Sequence, residues 1–136
     1  LALALQQRRA GSIFVVGGPA ERALADELLT RIHAGDGQAA DAVALPLEQT
    51  AALLARCRVY VGNDTGVLNM SAAVQTPALG LFGGSQPLWH SRFIHPITPP
   101  EGESGMGAIT VPQVLDHYLQ LGQLHAHQVH AHQDGR

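Results

Sequence analysis

Four short apolar runs, separated by segments with helical spacing, constrain the fold of this chain more than any other feature. The runs cover residues 12–17, 41–45, 59–61 and 78–82, and the helical segments between them cover residues 20–32, 48–56 and 66–74. Apart from Ser12 and Asp41, which begin two of them, the runs are apolar throughout instead of alternating with polar residues. Such runs are typical of parallel strands buried under helices on both faces. The pattern therefore predicts an α/β fold with a doubly wound parallel sheet, Rossmann-like, built from right-handed crossovers.

Glycines and capping residues predict where the outer elements begin and end. Residues 1–11 have the pattern of a helix that closes at Gly11. The proline-rich stretch 88–104 is expected to be mostly irregular. Thr110 is a candidate N-cap for a last helix, with Gln113 completing a capping box and Gly122 ending the helix. We therefore expect one domain over residues 1–122 and a flexible, His-rich tail over residues 123–136.

The expected inward faces of the helices follow from their periodicity. They comprise Leu24, Leu28, Leu29 and Ile32 in the first full helix, Ala51, Leu54 and Ala55 in the second, and Val114, Leu115, Tyr118 and Leu119 in the last.

Composition excludes several classes of function. The formal net charge is −3 and aromatic residues make up 4% of the 136 residues, which argues against a nucleic-acid partner. Cys57 is the only cysteine, so a disulfide within the chain and a cysteine-rich metal site are excluded. We interpret Cys57 as a small packing residue beside a strand. No apolar run approaches the ~20 residues of a membrane helix, and a cytoplasmic location is the simplest interpretation.

Three glycine-containing loops follow the predicted strands, at the sheet edge where α/β proteins bind ligands. They contain Gly17, Gly18 and Glu21; then Gly62, Asn63, Asp64, Thr65 and Gly66; then Gly83, Gly84 and Ser85. A helix N-terminus offers unpaired N–H groups and a partial positive charge, and glycine lets phosphates approach the backbone. The middle loop could therefore hold a diphosphate without lysine. The alternative is that Asp64 or Thr65 only caps the following helix.

Asp64 limits the types of ligand that the middle loop could bind. A carboxylate repels a neighbouring diphosphate unless the carboxylate points toward another group. Hydroxyl groups are the natural partners of such a carboxylate. Donors for phosphate next to an acceptor for hydroxyls indicate a nucleotide-activated sugar.

The segment V-G-N-D-T-G-V-L-N-M-S-A-A-V-Q-T-P-A-L-G-L-F-G-G-S-Q-P, residues 61–87, resembles the C-terminal half of the lipopolysaccharide heptosyltransferase family. The glycine loop at residues 17–21 and the helix at residues 109–121 are similar to the family's earlier loop and closing helix. The resemblance implies an inverting, metal-independent GT-B glycosyltransferase without a cofactor. Its C-terminal domain would bind a nucleotide sugar, typically ADP-heptose, and the acceptor would be the lipopolysaccharide core.

The resemblance also implies roles for particular residues. Asp64 would contact the sugar, and Thr65 and Gly66 would bind the diphosphate. Gly83, Gly84 and Ser85 would close the pocket near the sugar phosphate. Gly17, Gly18 and Glu21 would lie near the nucleoside. The catalytic base is expected in an N-terminal acceptor domain that these residues do not include, and the first strand of the donor domain is also expected to be missing.

Asn69 departs from the family pattern, which has histidine at this position. This difference leaves open another nucleotide-sugar donor, such as a hexose donor. A degenerate module that binds a nucleotide or only a partner protein, and a flavodoxin-like phosphate-binding regulator, are further alternatives. Peripheral association with the inner membrane and self-association through an exposed apolar face also remain open.

Aromatic and histidine residues beyond the loops are weaker candidates. Trp89 is expected either to anchor packing or to contact another domain. His90 and His95 are candidates for the border of the cleft. The tail histidines, which could bind a transition metal but are expected to be solvated, are His125, His127, His130 and His132.

Overall fold

The computed structural model describes residues 1–87 and 89–133, with side chains through residue 124, and shows an alternating α/β chain. Its elements are α1 (Ala2–Arg8), β1 (Ile13–Gly17), α2 (Arg22–Ala34), β2 (Ala39–Val43), α3 (Leu47–Arg56), β3 (Tyr60–Asn63), α4 (Gly66–Ala73), β4 (Ala78–Leu81), β5 (Ile94–Ile97) and α5 (Val111–Gln133). Short 3₁₀ turns at Pro19–Glu21 and Met106–Ala108 precede α2 and α5.

All strand pairs within the described residues are parallel, which confirms the predicted fold class. β1 pairs with β2, while β3, β4 and β5 form a second hydrogen-bonded group in that order. Parallel neighbours end at the same edge, so the loops after β3 and β4 must lie side by side.

The core lies between the strands and the helices that cover them, as parallel sheets require. α2 packs on β1 and β2 through Ala25 and Ile32. α4 covers one side of the larger group through Leu68, which is fully buried with Phe82. The third cluster joins that group to α5, and consists of Leu79, Ile97, Val114 and Leu121 with half-buried neighbours.

Buried hydroxyl groups fasten α3 to the turn between α4 and β4. The Thr76 hydroxyl donates to the Leu54 carbonyl at 2.7 Å, and the Ser71 hydroxyl donates to the Thr76 carbonyl at 3.1 Å. Both side chains are almost fully buried. These bonds satisfy groups that would otherwise be costly to bury, and they hold the base of α4 in a fixed position.

Two predicted boundaries in the first half of the chain are wrong. α1 ends at Arg8 because Arg9 is already extended (φ −150°, ψ 113°), so Gly11 does not close the helix. The second strand runs from Ala39 to Val43 instead of over residues 41–45, because Ala44 has a left-handed backbone (φ 59°) that ends it.

The predicted inward faces are partly wrong as well. Leu24 and Leu28 are 68% and 42% exposed, whereas Ala25 and Ile32 are buried. A two-stranded pair is narrow, so only a thin stripe of α2 can be covered. In α3, Leu54 is buried but Ala55 is exposed.

The stretch 88–104 is not wholly irregular, because it contains β5. Pro96 lies inside this strand and is aligned with Gly80 of β4. Proline is tolerated in edge strands, where one side of the backbone needs no ladder partner. The proline content therefore hid an edge strand from the sequence pattern.

The last helix begins as predicted but continues further. The Gln113 amide donates to the Thr110 hydroxyl at 3.3 Å, which confirms Thr110 as the cap, but the Gln113 side chain donates to the Thr98 carbonyl at 2.7 Å instead of completing a capping box. Gly122 lies inside the helix, which runs to Gln133.

Burial along this helix also differs from the expectation. Val114 and Leu121 are buried, and Leu119 is 40% exposed. The flexibility predicted for residues 123–136 stays a prediction. Within the described residues, none of the helices is both long and apolar enough to cross a membrane.

Candidate functional site

The sheet register brings two of the three predicted loops together. Asn63, the last residue of β3, is aligned with Leu81, the last residue of β4. The loop that begins with Asp64 therefore lies beside the loop that contains Gly83 and Gly84. Because both strands are parallel, both loops open at the same edge of the sheet.

The N-terminus of α4 faces this edge with unused hydrogen-bond donors. Thr65 is the N-cap with an extended backbone (φ −137°, ψ 172°), and its carbonyl accepts the amides of Leu68 at 3.1 Å and Asn69 at 3.4 Å. Within the described residues, the amides of Gly66 and Val67 have no hydrogen-bond acceptor. A helix start of this kind carries about half a positive charge.

The alternative that Asp64 or Thr65 only caps α4 is wrong. Among the residues that the structure describes, no side chain accepts a hydrogen bond from the first turn of this helix. Asp64 is exposed, and no described residue forms a hydrogen bond or an ion pair with its carboxylate. Its carboxylate is therefore available to a ligand.

Asn69 lies one turn above Thr65 and is turned back toward the loop. Its side-chain amide donates to the Thr65 carbonyl at 3.4 Å. This long bond uses one N–H group of the exposed amide. Asn69 therefore stabilises the start of α4, and its other polar atoms remain available at the same edge of the sheet.

The loop after β4 is held by contact with the segment before α5. The Gly105 amide donates to the Gly83 carbonyl at 2.8 Å. Gly83 is buried, and a Cβ atom built there would lie 2.5 Å from the amide nitrogen of Met106. Gly84 and Ser85, in contrast, are exposed. Gly83 thus fixes the loop, while Gly84 and Ser85 face solvent at the site.

The first loop belongs to the β1–β2 pair and has a different character. The Glu21 carboxylate folds back over it, and a Cβ atom built on Gly18 would lie 3.1 Å from the carboxylate oxygen Oε2. The Glu21 amide also donates to the Gly18 carbonyl at 3.1 Å. A carboxylate in this position repels phosphate from the Gly17–Gly18 backbone.

Arg22, next in the chain, is occupied by two carboxylates. Its guanidinium contacts both carboxylate oxygens of Asp41, at 2.9 and 3.0 Å, and also Asp26 at 3.1 Å. The hydrogen bond with Asp41 raises the pKa of Arg22, and the same bond, together with the Val43 amide, lowers the pKa of Asp41. Arg22 is therefore a structural cation instead of a free phosphate ligand.

Tyr60 is a residue of the site that sequence reasoning missed. Residues two apart in a strand share a face, and Tyr60 lies over Gly62, where a built Cβ atom would come within 2.1 Å of the phenol oxygen. Burial raises the pKa of Tyr60. The spacing Tyr60-x-Gly62 before the loop was the signal that could have identified it.

The weaker candidates are located as follows. Trp89 is 79% exposed, so it does not anchor packing. His90 is exposed in the loop after β4, whereas His95 lies within β5. Cys57 is half-buried, and burial raises the pKa of its thiol, consistent with a packing role. The side chains of His125, His127, His130 and His132 lie outside the described part of the structure.

Parallel strands, covering helices and glycine loops at one sheet edge define the class of Rossmann-like α/β domains. The family model of glycosyltransferase family 9 (heptosyltransferase) matches residues 1–103. The chain therefore belongs to glycosyltransferase family 9, the heptosyltransferase family. This confirms the resemblance that the loops indicate.

Two solved structures share the fold. One is the glycosyl transferase family 9 protein from Veillonella parvula DSM 2008, with a TM-score of 0.73 and 19% identity, and 84% of this chain covers 37% of that one. The other is the E. coli ADP-heptose lps heptosyltransferase II, with a TM-score of 0.73 and 24% identity, and 88% of this chain covers 39% of that one. The chain thus spans less than two-fifths of either structure. A comparison with curated protein sequences gives no significant match.

Proposed function

We propose that this chain is the donor-binding domain of a heptosyltransferase-like glycosyltransferase, with ADP-heptose as the donor. The observation that carries the proposal is the start of α4, where the free amides of Gly66 and Val67 lie next to the unengaged carboxylate of Asp64. Family membership supports it independently.

The diphosphate would bind at the N-terminus of α4. The two free amides supply hydrogen-bond donors, and the helix supplies a favourable potential. The Thr65 hydroxyl is not used as a cap and adds a further donor. This arrangement holds a diphosphate with neither lysine nor a metal ion, which fits a metal-independent enzyme.

The sugar would lie between the two adjacent loops. Asp64 would accept hydrogen bonds from its hydroxyl groups, which places the carboxylate away from the phosphates. Gly84 and Ser85 are exposed on the neighbouring loop and would close the pocket near the sugar phosphate. Gly83 would hold that loop in place through its bond with Gly105.

The nucleoside would lie toward the first loop. Glu21 lies over Gly17 and Gly18 and repels phosphate from their backbone. A carboxylate is, however, a good acceptor for ribose hydroxyls. Because the first loop repels phosphate and the start of α4 attracts it, the donor would bind with its nucleoside near Glu21 and its diphosphate at α4.

In the reaction, an acceptor hydroxyl would attack the anomeric carbon and the bond to the diphosphate would break with inversion. Donors at the start of α4 would stabilise the negative charge that develops on the departing ADP. We place the lipopolysaccharide core acceptor and the catalytic base in residues beyond these 136, so that this chain alone binds the donor without completing the transfer. Family membership supports a cytoplasmic location, with peripheral association with the inner membrane as the alternative.

The strand order supports an unfilled position in the sheet. In the doubly wound order 3-2-1-4-5-6, β2-β1 would take positions 3-2, and β3-β4-β5 would take positions 4-5-6. Position 1, between β1 and β3, then corresponds to the expected first strand.

The open edges of β1 and β3 are also where we propose self-association, which light scattering at increasing protein concentrations would detect as a rising average mass.

A second donor remains a specific alternative because of Asn69. A neutral amide that already donates to the Thr65 carbonyl would bind a phosphate more weakly than a charged imidazole would. This favours either a different nucleotide sugar, such as a hexose donor, or a degenerate module that binds a nucleotide or a partner protein.

Calorimetry with ADP, UDP and GDP, each with and without chelator, tests these functions. We expect binding of ADP and of ADP-heptose, unchanged by the chelator. Stronger binding of UDP or GDP would move the donor away from ADP-heptose. Loss of binding with chelator would contradict the metal-independent site, and no binding of any nucleotide would favour the degenerate module.

A further inference from the structure

β2 and β5 each pair with a single strand among the described residues, so one side of each faces no other strand. Unpaired backbone groups on such a side are a template for pairing with another chain. Successive residues of a strand direct their backbone groups to opposite sides. The Ala44 amide donates to the Gly17 carbonyl at 2.8 Å, which directs the even-numbered residues of β2 toward β1. The outer edge of β2 is therefore formed by the backbone groups of Ala39, Asp41 and Val43.

Side chains occupy both ends of this outer edge. The Val43 amide donates to Oδ1 of Asp41 at 3.0 Å. At the other end, Nε2 of His33 lies 3.1 Å from the Ala39 carbonyl, and Nε2 must be the donor because a carbonyl only accepts. The Arg22 guanidinium holds both oxygens of the Asp41 carboxylate, at 2.9 and 3.0 Å, and so fixes its position. Another strand would have to break these bonds before it could pair with β2.

β5 closes its outer edge by a different means. The Phe82 amide donates to the Ile97 carbonyl at 2.9 Å, which directs the odd-numbered residues of β5 toward β4. The outer edge of β5 is therefore formed by Ile94 and Pro96. Pro96 has no amide hydrogen, and the Ile94 amide donates to the Ser91 carbonyl at 3.2 Å. Neither residue offers an amide to another strand.

The open sides of β1 and β3 carry no such protection. The same alternation places the backbone groups of Phe14 and Val16 on the open side of β1, and those of Val61 and Asn63 on the open side of β3. In the part of the chain that the structure describes, no side chain forms a hydrogen bond with any of these groups.

We propose that Asp41, His33 and Pro96 close the outer edges of β2 and β5 to pairing with a strand of a second copy, which leaves the open sides of β1 and β3 for association. The closure is a property of the sheet and does not depend on the donor site.

Opening each outer edge separately tests the proposal. Asp41→Val removes the acceptor of the Val43 amide and the partner of Arg22, and Pro96→Val restores an outward amide to β5. Light scattering should give each variant an average mass of at least about twice that of the wild type at the same concentration, because two opened edges pair into a dimer. Comparison at equal concentration separates this gain from any association of the wild type itself.

Matched controls separate an opened edge from a change of charge or of apolar surface. Asp41→Asn removes the charge but keeps an oxygen that can accept the Val43 amide, so its average mass should equal that of the wild type. Ala40→Val adds the same side chain as Asp41→Val at an exposed neighbouring position whose backbone groups face β1. It should also leave the average mass unchanged. His33→Leu, at an exposed position, frees the Ala39 carbonyl and should raise the mass even if circular dichroism shows that Asp41→Val does not fold.

The outcomes decide each edge by itself. Folded Asp41→Val and His33→Leu with the mass of the wild type would overturn the closure of β2, and Pro96→Val with that mass would overturn the closure of β5. An equal rise in Asp41→Asn or Ala40→Val would also overturn the closure of β2, because charge or apolar surface would then explain the association. A wild type that stays monomeric would contradict the proposed association through β1 and β3 and leave the closure of the outer edges intact.

Discussion

Substitution of Gly83 by alanine should destabilise the fold and substitution of Gly84 should not, although the two residues are adjacent in the same loop. A Cβ atom at Gly83 would lie 2.5 Å from the Met106 nitrogen, 2.7 Å from the Met106 Cα and 2.9 Å from the Gly105 carbonyl carbon. All three are backbone atoms, so no side-chain rotation relieves the overlap. A Cβ atom at Gly84 would have no atom within 4 Å.

The magnitude follows from what must move. Relief at Gly83 requires two chain segments to separate, which stretches the 2.8 Å bond between the Gly105 amide and the Gly83 carbonyl. Overpacking costs about 1–3 kcal/mol, and a weakened hydrogen bond adds about 0.5–1.5 kcal/mol. Gly84→Ala should instead be neutral or stabilise by up to about 1 kcal/mol, because alanine restricts the unfolded chain.

Thermal unfolding of the two variants beside the wild type measures the difference. For a chain of this length, each kcal/mol corresponds to a shift in Tm of roughly 3–5 °C. Neither glycine has a left-handed backbone, so conformational strain does not distinguish them. Equal Tm values for the two variants would refute the contact between this loop and the Gly105–Met106 segment.

Three other changes test separate parts of the structure. Asp64→Ala should weaken ADP-heptose binding about 10- to 100-fold, because a charged hydrogen bond is lost, and ADP binding by less than about threefold; equal losses by calorimetry would exclude the sugar contact. Thr76→Val should lower the free energy of unfolding, measured by chemical denaturation, by about 0.5–1.5 kcal/mol. The loss is limited to this range because another backbone amide still donates to the Leu54 carbonyl. Thr76→Ser keeps the hydroxyl and should lower the free energy of unfolding by less, and a larger loss with serine would contradict the role of the hydroxyl. Arg22 lowers the pKa of Asp41, so the contribution of ionised Asp41 to folding stability is complete above about pH 4 and is lost as the pH falls through the lowered pKa. The difference in Tm between Asp41→Asn and the wild type, measured against pH, should therefore be largest near neutrality. A Tm difference that grows in acid would contradict the ion pair.

The parallel α/β order was predictable because it depends on patterns that repeat along the chain. Four apolar runs at strand length leave little choice of sheet type, and all four correspond to strands. β5 could not be predicted, because Pro96 and His95 are typical of loops. Only an edge position beside β4 makes them acceptable in a strand.

The main loops of the candidate site were also predictable, since glycine and an acidic residue between strand and helix are local signals. The sequence could not show that Thr65 leaves the helix amides free, because a threonine at that position is equally typical of a cap. It could not reveal the packing of Gly83 on Met106 either, since this contact joins residues far apart in the chain.

The close fit of Tyr60 over Gly62 means that these two positions cannot vary independently. A side chain at position 62 needs the volume that the tyrosine ring fills, so a Gly62 substitution becomes sterically acceptable only with a smaller residue at position 60. Among relatives of this chain, tyrosine at the first position should therefore occur with glycine at the second. Co-variation of this kind would mark the subset of relatives in which a tyrosine ring packs over the strand backbone in the same way.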